Sequence, residues 1–123
     1  MYTISKKFNF SASHQLRDLP ETHPCSHLHG HNYTVTVELK SDALSDTGFV
    51  LDYRSLDVCK QFIDNVYDHR DLNDVMFVNP TAENIARELF EKFEGMLSAL
   101  PITRDRFVLS SVTVQETDKT PIS

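Results

Sequence analysis

Polar and apolar residues alternate with period two over residues 2–16. Ile4, Phe8, Phe10 and Ala12 share one parity, and Lys7, Asn9, Ser11 and Ser13 the other. Successive strand side chains point to opposite faces, so the pattern predicts a half-buried strand. Residues 29–40 give the clearest strand, with Tyr33, Val35, Val37 and Leu39 alternating with Asn32, Thr34, Thr36, Glu38 and Lys40. Between these two, residues 17–28 hold Pro20, Pro24 and mixed polar residues and read as a loop. A turn at Asp46-Thr47-Gly48 leads into an expected short strand, Phe49-Val50-Leu51. The period then lengthens. Leu56, Cys59, Phe62, Ile63 and Val66 form the apolar stripe of a helix that Asp52 can cap. A second helix begins at Pro80-Thr81, with Thr81 as N-cap. Ile85, Leu89, Phe93, Met96 and Leu100 line its face, and Pro101 ends it. A last strand is expected over 106–116, with Val108, Val112 and Val114 in one phase. Strands, two helices and a strand predict an α+β fold: an antiparallel sheet with both helices on one face, in a single domain over 1–123.

Composition narrows the functional classes. The 123 residues carry a formal charge of -6 and no basic run. Phosphate contacts dominate nucleic-acid affinity, so nucleic acid is not an expected partner. No stretch is long and apolar enough to span a membrane. The N-terminal Met1-Tyr2-Thr3-Ile4-Ser5-Lys6-Lys7 lacks the apolar region of a secretory signal, and the two cysteines have no disulfide-framework spacing. A reduced, cytoplasmic setting is expected. The unusual count is histidine: six in all, five of them between positions 14 and 31.

Strand parity gives three of these histidines a common direction. His14 shares the parity of Phe8, Phe10 and Ala12, and His29 and His31 share that of Tyr33, Val35 and Val37. Imidazoles on an apolar face need partners for their ring nitrogens. A zinc ion at about 2.0–2.1 Å supplies one to each ring. The i, i+2 spacing of His29-Gly30-His31 aims both rings to one side, and Gly30 permits close backbone approach on the other. A single histidine here would be an ordinary hydrogen-bonded core residue, but three convergent ones favour a metal. Imidazole suits several metals; zinc is expected from commonness and ligand type. Three histidines without a fourth protein ligand match a catalytic zinc with an exchangeable water. His27 competes as a ligand but ranks below His14, and His23 reads as a loop residue.

Other polar residues have two readings each. Cys25 is either a fourth ligand that closes the site or a thiolate base or nucleophile beside the cation. Cys59, on the buried helical stripe, reads as a small apolar filler. Glu116 continues the parity of Val112 and Val114. It is either paired by the N–H donors of a ligand or solvated at the strand's end. Asp68-His69 is either a proton relay or a helix C-terminus with a favourable cation.

Several stretches together resemble the 6-pyruvoyltetrahydropterin synthase family. They are Phe10-Ser11-Ala12-Ser13-His14, Cys25-Ser26-His27-Leu28-His29-Gly30-His31-Asn32-Tyr33, Asp68-His69-Arg70-Asp71-Leu72-Asn73, Pro80-Thr81-Ala82-Glu83-Asn84 and Val114-Gln115-Glu116-Thr117-Asp118. The three residues between Cys25 and His29 are similar to the gap in the bacterial 6-carboxy-5,6,7,8-tetrahydropterin synthases of queuosine biosynthesis. The animal 6-pyruvoyl enzymes have a longer gap, and a branch linked to folate synthesis usually lacks the cysteine. The resemblance implies a tunnelling (T) fold assembled into rings, usually a hexamer of two trimers with active sites at subunit interfaces. It implies zinc on His14, His29 and His31, and Cys25 as catalytic base. It further implies Asp68 and His69 as relay partners across an interface, Glu116 as the pterin anchor and Thr81 as a help in seating the pterin. The implied enzyme is a lyase acting on 7,8-dihydroneopterin triphosphate, releasing triphosphate and acetaldehyde to leave 6-carboxy-5,6,7,8-tetrahydropterin. Two alternatives stay open: a 6-pyruvoyl synthase, and a non-catalytic zinc-stabilised pterin-binding module. Lys6, Lys7, Arg17 and Arg70 are candidates for the anionic triphosphate.

Overall fold

The two alternating segments pair as a hairpin of long strands, β1 (Tyr2–His14) and β2 (His29–Ser41). The structure is a computed structural model. It describes residues 1–23, 28–101 and 107–121, with His29 and residues 117–121 described by backbone alone. β1 and β2 run antiparallel from Tyr2 opposite Ser41 to His14 opposite His29, without a register shift. β3 (Arg70–Asp71) and β4 (Val108–Pro121) complete a four-stranded sheet in the order β3-β1-β2-β4. β3 is a correction to a wholly antiparallel sheet, because it pairs parallel to β1 at Ala12 and Ser13.

The helices cover one face, as the stripes require. Leu56, Cys59 and Ile63 of the first helical segment and Ile85, Leu89, Phe93 and Leu97 of the second are buried against Phe8, Phe10, Tyr33, Val35, Val37 and Leu39 of the sheet. The first segment is a 3-10 turn (Tyr53–Leu56) running into α1 (Asp57–Val66), and Asp52 caps the turn by accepting from the Arg54 N–H. A short helix, α2 (Leu72–Val75), follows β3 and adds a third helix to the two expected. It is one turn long, too short to show a period. α3 (Ala82–Ser98) begins where the sequence places it, with the Thr81 hydroxyl accepting the Asn84 N–H at 3.1 Å. Thr81→Ala leaves that donor unmatched and is expected to cost about 1 kcal/mol, read as a lower urea midpoint with unchanged slope.

Two strand readings are overturned. Phe49-Val50-Leu51 is not a strand. The preceding loop closes on itself through Ser45 N–H to the Phe49 carbonyl and Phe49 N–H to the Ser45 hydroxyl, with Gly48 at φ 90°. Val50 and Leu51 bury their side chains from this loop without a ladder partner. Val108 does not share the phase of Val112 and Val114. A bulge between the Glu38 and Leu39 pairings sets Leu109 opposite Leu39 and Val108 opposite Lys40, and Val108 is 62% exposed. The extra residue reverses the parity below it. Among the described residues no helix is long and apolar enough to cross a membrane.

Candidate metal centre

The unshifted β1–β2 register puts His31 opposite Ala12 and the backbone of His29 opposite His14. β4 brings Glu116 opposite Tyr33, and a second bulge interrupts the β2–β4 pairing directly beyond it. The result is a cluster at the end of the core face. The Nε2 atoms of the buried His14 and His31 lie 3.0 Å apart, and Glu116 Oε2 is 3.7 Å from His31 Nε2. One ligand atom from each of His14, His31 and Glu116 lies within 4.8 Å of the others, so the three could hold a metal ion.

The hydrogen bonds of His14 decide which nitrogen faces that cluster. Its Nδ1 is 2.7 Å from the Pro80 carbonyl and 3.1 Å from the Tyr33 hydroxyl. A carbonyl only accepts, so Nδ1 carries the proton and Nε2 presents its lone pair to His31. Two nitrogens bound to one tetrahedral zinc stand about 3.3 Å apart, from bonds of about 2.0–2.1 Å; the observed spacing is close to that. Two imidazoles and a carboxylate, half-enclosed by apolar strands, are a donor set that zinc accepts. The residues present therefore fit a divalent ion. Burial, then the Glu116 charge, raises the Tyr33 phenol well above its ordinary pKa, so Tyr33 stays a neutral partner for His14. Glu116 is the outer member, with 31% of its side chain exposed. It can accept from an incoming ligand as well as from a cation.

The Asp68-His69 pair lies elsewhere. Asp68 Oδ1 accepts the Ser11 N–H at 3.0 Å, and the His69 N–H donates to the Ser11 carbonyl at 2.6 Å. Asp68 Oδ2 meets His69 Nδ1 at 2.9 Å. His69 adopts the left-handed φ of 57°, and its ring is 82% exposed. The ring borders an open groove of about 430 Å³ that Ser11, Ser13, Gly30 and Asn32 line together with Ala12 and His31, so the groove reaches the residue that also belongs to the metal cluster. Within one chain the pair is still not part of the His14–His31–Glu116 cluster. Burial works against the Asp68 charge, but the Ser11 N–H and the His69 ring outweigh it and hold the carboxyl below its usual range. The stability this contributes is full above the ordinary aspartate pKa and is lost as pH falls through the depressed native value. Wild type and Asp68→Asn are expected to differ in unfolding free energy near neutrality and to converge as pH falls through the depressed native value.

Cys25 and His27 lie outside the described residues. Cys59 is free and fully buried, and burial pushes its thiol up to about 12, which fits the inert filler expected. Thr81 uses its hydroxyl as the α3 cap. Of the candidate cations, Arg17 donates to the Asn73 and Phe77 carbonyls at 3.3 Å, and Arg70 donates to the Asn65 carbonyl at 3.3 Å. Lys6 and Lys7 line a cleft beside Tyr53, and the Lys6 ammonium sits 5.9 Å from that ring's centre. Sequence reasoning missed the Pro80 carbonyl and the Tyr33 hydroxyl. The first is backbone and leaves no side-chain signal; the second sits on the core parity, where an aromatic reads as filler.

Comparison with known proteins places this geometry in a family. The family model described as 6-pyruvoyl tetrahydropterin synthase matches residues 3–123. The chain belongs to that family. A relative from Synechocystis sp., named 6-carboxy-5,6,7,8-tetrahydropterin synthase, is 38% identical over 100 residues, covering 76% of each chain. One of the same name from Bacillus subtilis is 29% identical over 106 residues, covering 80% of this chain and 70% of that one. Among solved structures, an uncharacterized protein of Wolinella succinogenes superposes with a TM-score of 0.78 at 24% identity, over 98% of this chain and 97% of that one. The 6-pyruvoyl tetrahydropterin synthase of Caenorhabditis elegans gives a TM-score of 0.69 at 23% identity, over 95% and 96%. The fold is therefore the T-fold of the 6-pyruvoyl tetrahydropterin synthase family, and its members' names point to pterin chemistry of the lyase type.

Proposed function

We propose that the chain is a zinc-dependent 6-carboxy-5,6,7,8-tetrahydropterin synthase of the cytoplasm. Its substrates are 7,8-dihydroneopterin triphosphate and one water, and it releases triphosphate and acetaldehyde beside the 6-carboxylated product for queuosine-type 7-deazapurine synthesis. The observation that carries this reading is the pair of facing Nε2 atoms on His14 and His31, with Glu116 at their rim, in a chain of this family. In this reading His14 and His31 hold the metal with His29, whose side chain is not described, as the third ligand, and Glu116 is left for the substrate. When bound, the metal supplies Lewis-acid polarisation of the substrate's side-chain hydroxyls. Cys25, as thiolate, removes a proton from that side chain. His69, oriented by Asp68 through the 2.9 Å contact, exchanges protons on the opposite side. Glu116 accepts from the pterin amino group and ring N–H in a charge-assisted, bidentate pair. Thr81 contributes to the seat of the pterin by fixing the start of α3.

His69 is not among the clustered ligand residues His14, His31 and Glu116 of its own chain, and in this reading another copy completes the site. The sheet has the edges for it. Along residues 2–10 the outer side of β1 has no strand partner among the described residues, and β4 ends the sheet on the other side. Open edges of this length invite pairing. Light scattering is expected to show a closed oligomer, a hexamer of two trimers, and no monomer.

The reaction is tested by incubating the metal-loaded protein with 7,8-dihydroneopterin triphosphate and analysing products by mass spectrometry. Acetaldehyde with a 6-carboxylated pterin is expected. Triphosphate without acetaldehyde would mark a 6-pyruvoyl synthase, and no turnover would mark a binding module.

A further inference from the structure

The segment that leaves the candidate metal centre is stitched to a distant part of the chain by two asparagine side chains. Asn73 accepts the Gln15 N–H at 2.7 Å and donates to the Gln15 carbonyl at 2.8 Å. Asn79 does the same for Arg17, accepting its N–H at 2.6 Å and donating to its carbonyl at 2.9 Å. Each side-chain amide imitates one rung of a strand ladder. Asn79 differs from Asn73 in what its own backbone does. Its carbonyl accepts from Asn84 Nδ2 at 2.9 Å and from the Thr81 N–H at 2.8 Å. Asn79 is therefore fixed from both sides, to the exit of β1 through Arg17 and to the first turn of α3 through Asn84. Pro80, buried, sits between those anchors, and its carbonyl accepts from His14 Nδ1 at 2.7 Å.

We propose that Asn79 is a positioning residue of the metal centre: it holds the Pro80 carbonyl against His14 and so fixes the tautomer that turns the His14 Nε2 lone pair toward His31. The inference rests on the reading of His14 as a metal ligand. Partners of this kind set the orientation and basicity of ligating imidazoles, and their loss typically weakens metal binding about 10–100-fold. Without its bonds to Arg17 the 79–80 backbone is held from the α3 side alone, and a shift of under 1 Å is enough to break a contact of that length. His14 then loses its reason to protonate Nδ1.

Two readouts on the full chain test this. One is the tautomer of His14, from imidazole nitrogen chemical shifts of the metal-free protein. The other is Zn²⁺ or Co²⁺ affinity, from competition with a chromophoric chelator. Wild type is expected to show His14 protonated at Nδ1. Asn79→Ala is expected to show a mixture of tautomers and about 10–100-fold weaker binding. Asn73→Ala removes as many bonds from the neighbouring residue without touching Pro80; it is expected to keep the single tautomer and most of the affinity. Asn84→Ala retains the backbone N–H that Thr81 caps and should fold where Asn79→Ala does not; it is expected to move both readouts in the same direction. Native tautomer and affinity in Asn84→Ala and Asn79→Ala, or equal losses in Asn79→Ala and Asn73→Ala with the tautomer unmoved, overturn the proposal. A wild-type chain that binds neither ion overturns the metal reading and this inference together.

Discussion

His14→Ala is expected to release the metal and to lower turnover by more than the roughly 100-fold that loss of an outer partner brings. The substitution removes one of the two facing Nε2 donors and leaves the Pro80 carbonyl and Tyr33 hydroxyl without their shared imidazole. Unmatched buried polar groups cost about 1–3 kcal/mol each. The protein should thus unfold at lower denaturant yet keep its far-ultraviolet dichroism, because β1 remains paired to β2 over its whole length. Elemental analysis after gel filtration gives the metal content, and acetaldehyde release gives the turnover. A His14→Ala protein that retains one metal per chain would show that the ion sits elsewhere.

Cys25→Ala separates the two readings of the cysteine. As a base, Cys25 contributes on the order of 10²–10⁴-fold to rate and nothing to metal affinity. Turnover is then expected to fall by that factor at unchanged metal content. As a ligand, its loss empties the site as His14→Ala does. Measuring metal and rate on the same preparation distinguishes the two, since only the second reading lowers both.

The parity of the long strands made much of the site readable in advance. A ladder without shifts from Tyr2 to His14 carries the phase set by Phe8 and Phe10 to His14, and that set by Val35 and Val37 to His31. The same logic failed on β4, where an inserted residue between the Glu38 and Leu39 pairings turned Val108 outward. Glu116 kept its predicted face because it lies on the Val112 and Val114 side of that insertion. β3 and α2 are shorter than the periods that would reveal them, and tertiary pairing with Ala12 and Ser13 decides them. What fixes the His14 ring was hidden for another reason: its main partner is the carbonyl of a proline 66 residues away, which no pattern of side chains encodes. The Asp68-His69 pair was visible as two adjacent residues, but only the fold shows it anchored to the Ser11 backbone and bordering a groove that His31 also lines.

The unbroken β1–β2 ladder also bears on how such a chain can vary. Deleting or inserting one residue between Phe10 and His14 would hand His14 to the polar side while Phe10 kept its face, because a single extra residue reverses parity only on one side of itself. The same holds within β2 between His31 and Val35, where the ladder to β1 is equally unshifted. Two imidazoles facing one point thus tie the lengths of both strands to each other, residue for residue.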